Sequence, residues 1–323
     1  MASLDRVGVI RLDALGDTLL TTPALHLLRQ HWPQAQVLAL THRVGTDLLR
    51  PLCEVQEVTP QTSWRAMARI LKDFGAQAVL CFSEKRRAAL ACWASGAGLR
   101  IGFEPGISQP LKSLASRVFF TRTFSFVNDP RRDPGLHEVE RYCKLVELLV
   151  ERQGLEIPPL QLQPQSHHYE AVQAYRGQNL LGLQLTPKWC RFGYNVEHLR
   201  HWLQCLQPPI LGLAGPAEAE WARQHFSDIP LYCSQDVMEY AALLEQLRGL
   251  VTIDTGAAHV AAARQVATID VFPERHHAHC VRRWRPWGSP HRIVLQPAFS
   301  VQAVEEIGQQ LRGAGAELWN APV

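Results

Sequence analysis

Three short stretches carry side chains whose type and spacing suit chemistry. The first is Arg11-Leu12-Asp13-Ala14-Leu15-Gly16-Asp17-Thr18-Leu19. An apolar run, Val7 to Leu12, ends there at a loop holding Gly16, and Asp17 opens a helical pattern. A carboxylate at such a junction can act as general base toward a substrate hydroxyl. Asp13 or Asp17 serving only as a helix cap fits the same letters. The second stretch is Val251 to Ala263, V-T-I-D-T-G-A-A-H-V-A-A-A. A strand runs into Asp254-Thr255-Gly256 and then into a helix of small residues, which lets a ligand come close. Free N–H groups and the dipole at a helix start favour a diphosphate. His259, about one turn in, is within reach of phosphate or sugar; a capped helix with a buried structural histidine is the alternative. The third, Leu213-Ala214-Gly215-Pro216-Ala217-Glu218, is a strand–glycine–helix turn of a kind common in α/β chains.

Two further tracts stand out. His276, His277, His279 and Cys280 look like metal ligands, but adjacent residues complete a tetrahedral site poorly, and the tract reads better as a mobile loop. Arg282, Arg283 and Arg285 interleave with Trp284 and Trp287. They suit sugar, phosphate, anionic lipid, or a contact between loop and domain.

The elements that position these residues alternate. Strands are predicted at 7–12, 36–41, 76–82 and 99–103, with helices over 17–30, 63–73, 85–97 and 136–151. Pro23 falls early in the helix over 17–30, where it costs least. From Gln153 to Gln178 the chain turns rich in Pro and Gln, which marks a boundary. The alternation then restarts. Strands are expected at 179–185, 209–213, 250–253 and 267–272, and helices over 196–206, 216–226, 236–247, 255–263 and 301–312. This is an α/β chain of two doubly wound domains, 1–165 and 166–323, facing a cleft. The last helix packs on its own domain or back on the first. In such sheets ligands bind beyond the carboxyl ends of the strands.

Length and composition agree. At roughly 150 residues per domain, 323 residues make two domains. Hydrophobic residues are 46% and charged residues 20%, which excludes disorder. A net charge of +3 is too small for a nucleic-acid binder. Only Lys72, Lys85, Lys112, Lys144 and Lys188 are lysines, and the remaining cations are arginines, the side chain suited to bidentate phosphate or carboxylate binding. The eight cysteines form no C-x-x-C pair and read as reduced thiols. Neither a signal peptide nor an 18-residue apolar run is present, so a cytoplasmic protein is expected, with room for contact at a membrane surface. G-x-G-x-x-G after the first strand, G-K-[ST], H-E-x-x-H and G-x-S-x-G are all missing.

The stretch R-L-D-A-L-G-D-T-L-L-T-T-P-A-L resembles the N-terminal signature of glycosyltransferase family 9, the lipopolysaccharide heptosyltransferases. D-T-G-A-A-H-V-A-A-A resembles their C-terminal signature. H-E-V-E-R at 137–141, L-A-G-P-A-E and W-R-P-W-G at 284–288 fall between or beyond in family order. The resemblance implies a GT-B fold of two Rossmann-like domains, the first for the acceptor and the second for a nucleotide sugar. It implies inverting transfer of a heptose from an ADP-activated donor to a lipid-anchored inner-core glycan, with neither metal nor cofactor. Asp17 inherits the role of base. Asp254, Thr255, Gly256 and His259 inherit the donor diphosphate, with Thr186 and Gly215 beside them.

The sequence departs from the family in two places. The family's lysine before a W-P step is replaced by Thr186-Pro187-Lys188-Trp189-Cys190-Arg191, leaving Lys188 or Arg191 as the phosphate-binding cation. The family's F-G-P-T becomes Phe272-Pro273-Glu274-Arg275, which bears on the donor. Acceptor contacts are expected from Gly16, from Arg65 and Arg69 on one helical face with Lys72, from Arg122, and from His137 and Arg141. A solvated helix face is the better reading of the 65–72 set. Three alternatives stand beside the main reading: a non-catalytic nucleotide-sugar-binding relative, a transferase using another nucleotide, and a sugar-nucleotide epimerase.

Overall fold

The computed structural model describes residues 4–105, 109–125, 135–206, 209–275 and 277–319. The chain divides into two compact units, Met1–Gln161 and Leu162–Val323.

The first unit holds six parallel strands: β1 (Arg6–Arg11), β2 (Gln36–Thr41), β3 (Glu54–Glu57), β4 (Ala78–Cys81), β5 (Leu99–Glu104) and β6 (Arg122–Ser125). Their spatial order is β3-β2-β1-β4-β5-β6. The central strands are buried nearly end to end, which is why β1 and β4 read as continuous apolar runs rather than alternating ones. The edge strands β3 and β6 are short and partly exposed, E-V-Q-E and R-T-F-S, and carry no apolar signal in the sequence.

The second unit repeats the plan with β7 (Leu181–Gln184), β8 (Ile210–Ala214), β9 (Leu231–Cys233), β10 (Gly249–Ile253), β11 (Thr268–Pro273) and β12 (His291–Gln296). Their order is β12-β11-β10-β7-β8-β9. Each sheet therefore reverses its winding once, between β1 and β4 and between β7 and β10. These are the topological switch points of doubly wound folds, where ligands bind beyond the carboxyl ends. Two such Rossmann-like units make the GT-B fold.

Several expected elements change on folding. The helix over 17–30 is two helices, Leu15–Leu19 and Thr22–His31. Pro23, which has no N–H, sits in the first turn of the second, the helical position that needs none. The region 276–280 does not form a loop throughout: His277–Trp284 is helical, and Arg283 is buried over the Trp284 ring at 4.2 Å. His276 lies outside the described residues. The last helix runs from Val301 to Trp319 and sinks Ile307 and Leu311 into the core of the second sheet. All eight cysteines are free. Among the described residues no helix is long and apolar enough to cross a membrane.

Candidate active site

In the first unit the switch point is stitched together by one buried cation. Arg11, the last residue of β1, is only 2% exposed although it belongs to a strand of apolar neighbours. A buried guanidinium must be paired, and this one is. Nη1 donates to the Phe82 carbonyl just past β4 at 2.5 Å, and Nη2 donates to the Tyr142 hydroxyl at 2.8 Å. The guanidinium also stacks over the Tyr142 ring at 4.6 Å. Asp13 Oδ2 lies 3.5 Å from Nη1, and Asp17 Oδ1 lies 3.4 Å from Nη2. Burial alone would lower the Arg11 pKa, but Tyr142, Asp17 and Asp13 outweigh it and raise the value.

Lys85, following β4, reaches back across the switch point. It donates to the Leu12 carbonyl and stands 3.5 Å from Asp13 Oδ1. Helix Leu15–Leu19 starts at Ala14 with no side-chain cap, so neither Asp13 nor Asp17 is a capping residue. Gly16 is buried inside that helix, while the Asp17 side chain stays 34% exposed. A carboxylate oriented by a fixed cation and still open to solvent is placed to accept a proton.

In the second unit, β7 and β10 flank the switch point. Gln184, ending β7, accepts hydrogen bonds through Oε1 from Thr252 and, at 2.6 Å, from Thr255. Thr255 caps helix Gly256–Ala263 by accepting from the Ala257 N–H at 3.4 Å. Alanine and glycine make up that helix except at His259 and Val260. His259 is 4% exposed and its Nδ1 has no hydrogen-bond partner; burial pushes its pKa down to about 4. The Asp254 N–H donates to the Val271 carbonyl at 3.1 Å. Beside it on β11, Asp270 is fully buried with neither carboxyl oxygen hydrogen-bonded. Burial first, then the charge of Asp254, push the Asp270 pKa well up.

Beyond β7, Thr186 caps the short turn Pro187–Cys190 and donates to Glu218 Oε1 at 2.5 Å. A Cβ added at Gly215 would meet only the Glu218 carboxylate, at 3.8 Å, so this turn is open to an approaching group. Lys188 is half-buried on the turn, and among the described residues its ammonium has no hydrogen-bond or ion-pair partner. Arg191 follows, exposed and likewise unpaired among the described residues.

The cationic residues of the first unit divide. Arg141 is buried, 2.6 Å from Glu138 and 3.7 Å from Glu84, and 5.5 Å over the Phe103 ring. Tyr142, next to it, packs on both Phe82 and Phe103, which brings Arg141 to the same end of the sheet as Asp17. His137 is buried as the N-cap of helix Glu138–Val150, accepting from the Val139 N–H at 3.2 Å. Arg122 ties the end of that helix, donating to the Leu148 carbonyl at 2.7 Å and pairing with Glu151. Arg65 lies over its neighbour Trp64 at 4.4 Å, and Arg69 and Lys72 are exposed. Among the described residues, the interactions of Arg65 and Arg122 run to Trp64, Leu148 and Glu151 rather than to Arg11, Asp13 or Asp17.

Arg11, Lys85 and Tyr142 in one unit, and Gln184, Glu218 and Asp270 in the other, stand at the two switch points and are passed over by motif reading. Arg11 carried a signal: an arginine closing a buried apolar strand demands partners. Gln184 and Glu218 carried none, because only strand register brings them to the helix starts.

The model for glycosyltransferase family 9 (heptosyltransferase) matches residues 64–311. That span includes His137–Arg141 and the Asp254–His259 segment and begins after Asp17. No curated protein sequence matches the chain. Among solved structures, a family 9 glycosyltransferase from Veillonella parvula aligns with a TM-score of 0.75 at 16% identity, covering 98% of each chain. E. coli heptosyltransferase WaaC, solved with ADP, aligns with a TM-score of 0.65 at 20% identity, over 96% of this chain and 99% of its own. E. coli ADP-heptose lipopolysaccharide heptosyltransferase II gives 0.66 at 16% identity, over 95% and 98%. At these identities the structural likeness establishes the fold, and the family match spans most of the sequence: the chain belongs to glycosyltransferase family 9 (heptosyltransferase) and is a glycosyltransferase.

Proposed function

We propose that this enzyme moves a heptose or a related sugar from an ADP-activated donor to an inner-core lipopolysaccharide or similar lipid-anchored glycan in the cytoplasm. Transfer inverts the anomeric centre and needs no metal. The observation that carries the reading is Asp17, held 3.4 Å from the buried Arg11 guanidinium at the carboxyl end of β1 and still open to solvent.

Asp17 takes the proton of an acceptor hydroxyl. The freed electron pair of that oxygen forms a bond to the anomeric carbon, and the bond from that carbon to the diphosphate oxygen breaks. The leaving pair of electrons goes to the diphosphate. The donor binds on the second unit, with its diphosphate over the N–H groups of helix Gly256–Ala263, beside Thr255 and His259. Preorganised donors aimed at developing charge are the largest single source of such catalysis. Lys188 supports the same charge: it is half-buried, unpaired, and follows the strand adjoining β10. Arg191 is more exposed and serves less well. On the first unit, Arg141 and Gly16 lie on the acceptor side.

WaaC was solved with ADP, which favours ADP as the nucleotide here. One departure favours a second reading with another donor, namely Phe272-Pro273-Glu274-Arg275 in place of F-G-P-T. Thermal shift against ADP, UDP, GDP and CMP with their sugar conjugates separates the two. A ligand at 100 times its Kd adds about 2.7 kcal/mol. A shift confined to ADP species supports the first reading, and one confined to UDP or GDP species supports the second. No shift with any of them overturns both.

A further inference from the structure

Arg11 serves two carboxylates at once. Asp13 Oδ2 lies 3.5 Å from Nη1, and Asp17 Oδ1 lies 3.4 Å from Nη2. Both separations exceed the roughly 2.7–2.9 Å of a charge-assisted hydrogen bond. The hydrogen bonds of the two Nη groups go to the Phe82 carbonyl and the Tyr142 hydroxyl instead. Among the described residues, Arg11 Nε and Asp13 Oδ2 are buried with no hydrogen-bond partner. A donor and an acceptor left unsatisfied within one ion pair both cost free energy. A turn of Asp13 squarely onto Arg11 satisfies them, in the forked pairing that a guanidinium and a carboxylate favour. The same turn draws the guanidinium away from Asp17. Asp13 therefore competes with Asp17 for one cation.

Lys85 holds Asp13 off. Its ammonium donates to the Leu12 carbonyl, at the peptide that leads into Asp13. It also lies 3.5 Å from Asp13 Oδ1, the other oxygen of that carboxylate. Four charges thus alternate along one line of contacts: Lys85, Asp13, Arg11, Asp17. The Lys85 side chain is 46% exposed and Arg11 only 2%. Charge is therefore screened at the outer end of the row and felt strongly at Arg11. The surrounding charged groups are engaged elsewhere or exposed. Arg141 has Glu138 at 2.6 Å and Glu84 at 3.7 Å. Arg87 meets His42 at 3.0 Å, and Arg86 is exposed. On helix Arg43–Leu49, packed beside Leu15–Leu19, Arg43 is exposed and Asp47 lies 3.8 Å from Arg50. Among the described residues, Asp13 and Asp17 are the two carboxylates paired with Arg11.

We propose that Lys85 is a positioning residue for the transfer reaction: by holding Asp13 it keeps the Arg11 guanidinium available to Asp17. The proposal rests on the reading of Asp17 as the base and stands whichever sugar donor the enzyme uses. Without Lys85, Asp13 turns onto Arg11, and Asp17 loses its cation while an uncompensated negative charge stays nearby. Both changes make Asp17 hold its proton more tightly. The carboxylate then works as a base only at higher pH. Without Asp13 the competitor is gone, and Lys85 has nothing to hold.

The test is the acid limb of the pH profile of kcat/KM, which reports the base of the free enzyme. Sugar transfer by the full chain is followed in wild type, Lys85→Ala, Asp13→Asn and the double variant Lys85→Ala/Asp13→Asn, with the sugar nucleotide that shifts the melting temperature. The position of the limb does not depend on how much of each protein is active. In Lys85→Ala the limb moves up by roughly half a pH unit or more, the order of one unit charge in a partly wet site. In Asp13→Asn it moves down. Removing Lys85 from Asp13→Asn moves the limb less than half as far as removing it from wild type, the coupling that an action through Asp13 requires. An equal shift in both backgrounds overturns the proposal, because Lys85 then acts on the reaction without Asp13. An unmoved limb in Lys85→Ala overturns it as well. Asp17→Asn separates that failure from failure of the base: if this variant transfers as wild type does, the base reading falls and the proposal with it. If it is inactive beside an unmoved Lys85→Ala limb, the proposal alone falls.

Discussion

His259 makes stability of the second unit fall with acid. The side chain is 4% exposed, its Nδ1 is unpaired, and burial takes its pKa from 6.5 to about 4. An unfolded chain holds a proton on this imidazole below about pH 6.5, whereas the folded unit resists it until about pH 4. Between those values the unfolded state binds more protons, so stability rises with pH. The contribution is complete above pH 6.5 and is lost as pH falls toward 4. At 1.36 kcal/mol per unit it totals roughly 3 kcal/mol. Amide exchange of peptides from β10 and β11, corrected for intrinsic rates, reads this unit by itself. From pH 6.5 to 4, protection in wild type falls about a hundredfold more than in His259→Gln. Asp270 works in the opposite sense. Its raised pKa gives stability below the ordinary carboxylate range that is lost as pH rises, but both proteins carry it, so it cancels in the difference. Parallel pH profiles for wild type and His259→Gln would refute the reasoning.

Other consequences are as direct. Arg11→Met removes the bonds to Phe82 and Tyr142 and the buried cation beside Asp13 and Asp17, so the first unit loses about 3 kcal/mol in urea unfolding; a loss below about 1 kcal/mol contradicts the buried cation's role. Asp270→Val replaces an unpartnered buried carboxyl with an apolar group of similar size, and the second unit gains about 1–3 kcal/mol in a thermal melt. A lower melting point would show that the carboxyl is satisfied. Lys188→Ala raises the donor KM about tenfold, roughly the worth of one charge-assisted contact to phosphate, and Arg191→Ala raises it less. The reverse ranking moves the phosphate-binding role to Arg191.

The central strands and the two helix starts were legible because burial on both faces writes strands such as V-G-V-I and G-L-V-T-I as plain apolar runs. Edge strands β3 and β9 were not, since a short strand half in water needs no apolar pattern. The positions of Asp17, Thr255 and His259 at the starts of helices were legible through local spacing. What Asp17 leans on was less so: Tyr142 lies 131 residues from Arg11. Such a contact is fixed by sheet order, which no local pattern encodes. His137 and Arg122 had the right type for acceptor binding, but a helix cap and a helix end engage them in this fold. The 276–280 tract read as a loop because polar histidines hide the helical face that buries Arg283.

Asp17→Asn is the most direct test of the proposed chemistry, because it keeps shape and removes the base. Single-turnover transfer from the ADP-sugar donor is measured beside donor binding by thermal shift. Binding stays within about twofold while the transfer rate falls on the order of a thousandfold, the usual worth of a positioned general base. Transfer within tenfold of wild type would mean that Asp17 does not take the acceptor's proton.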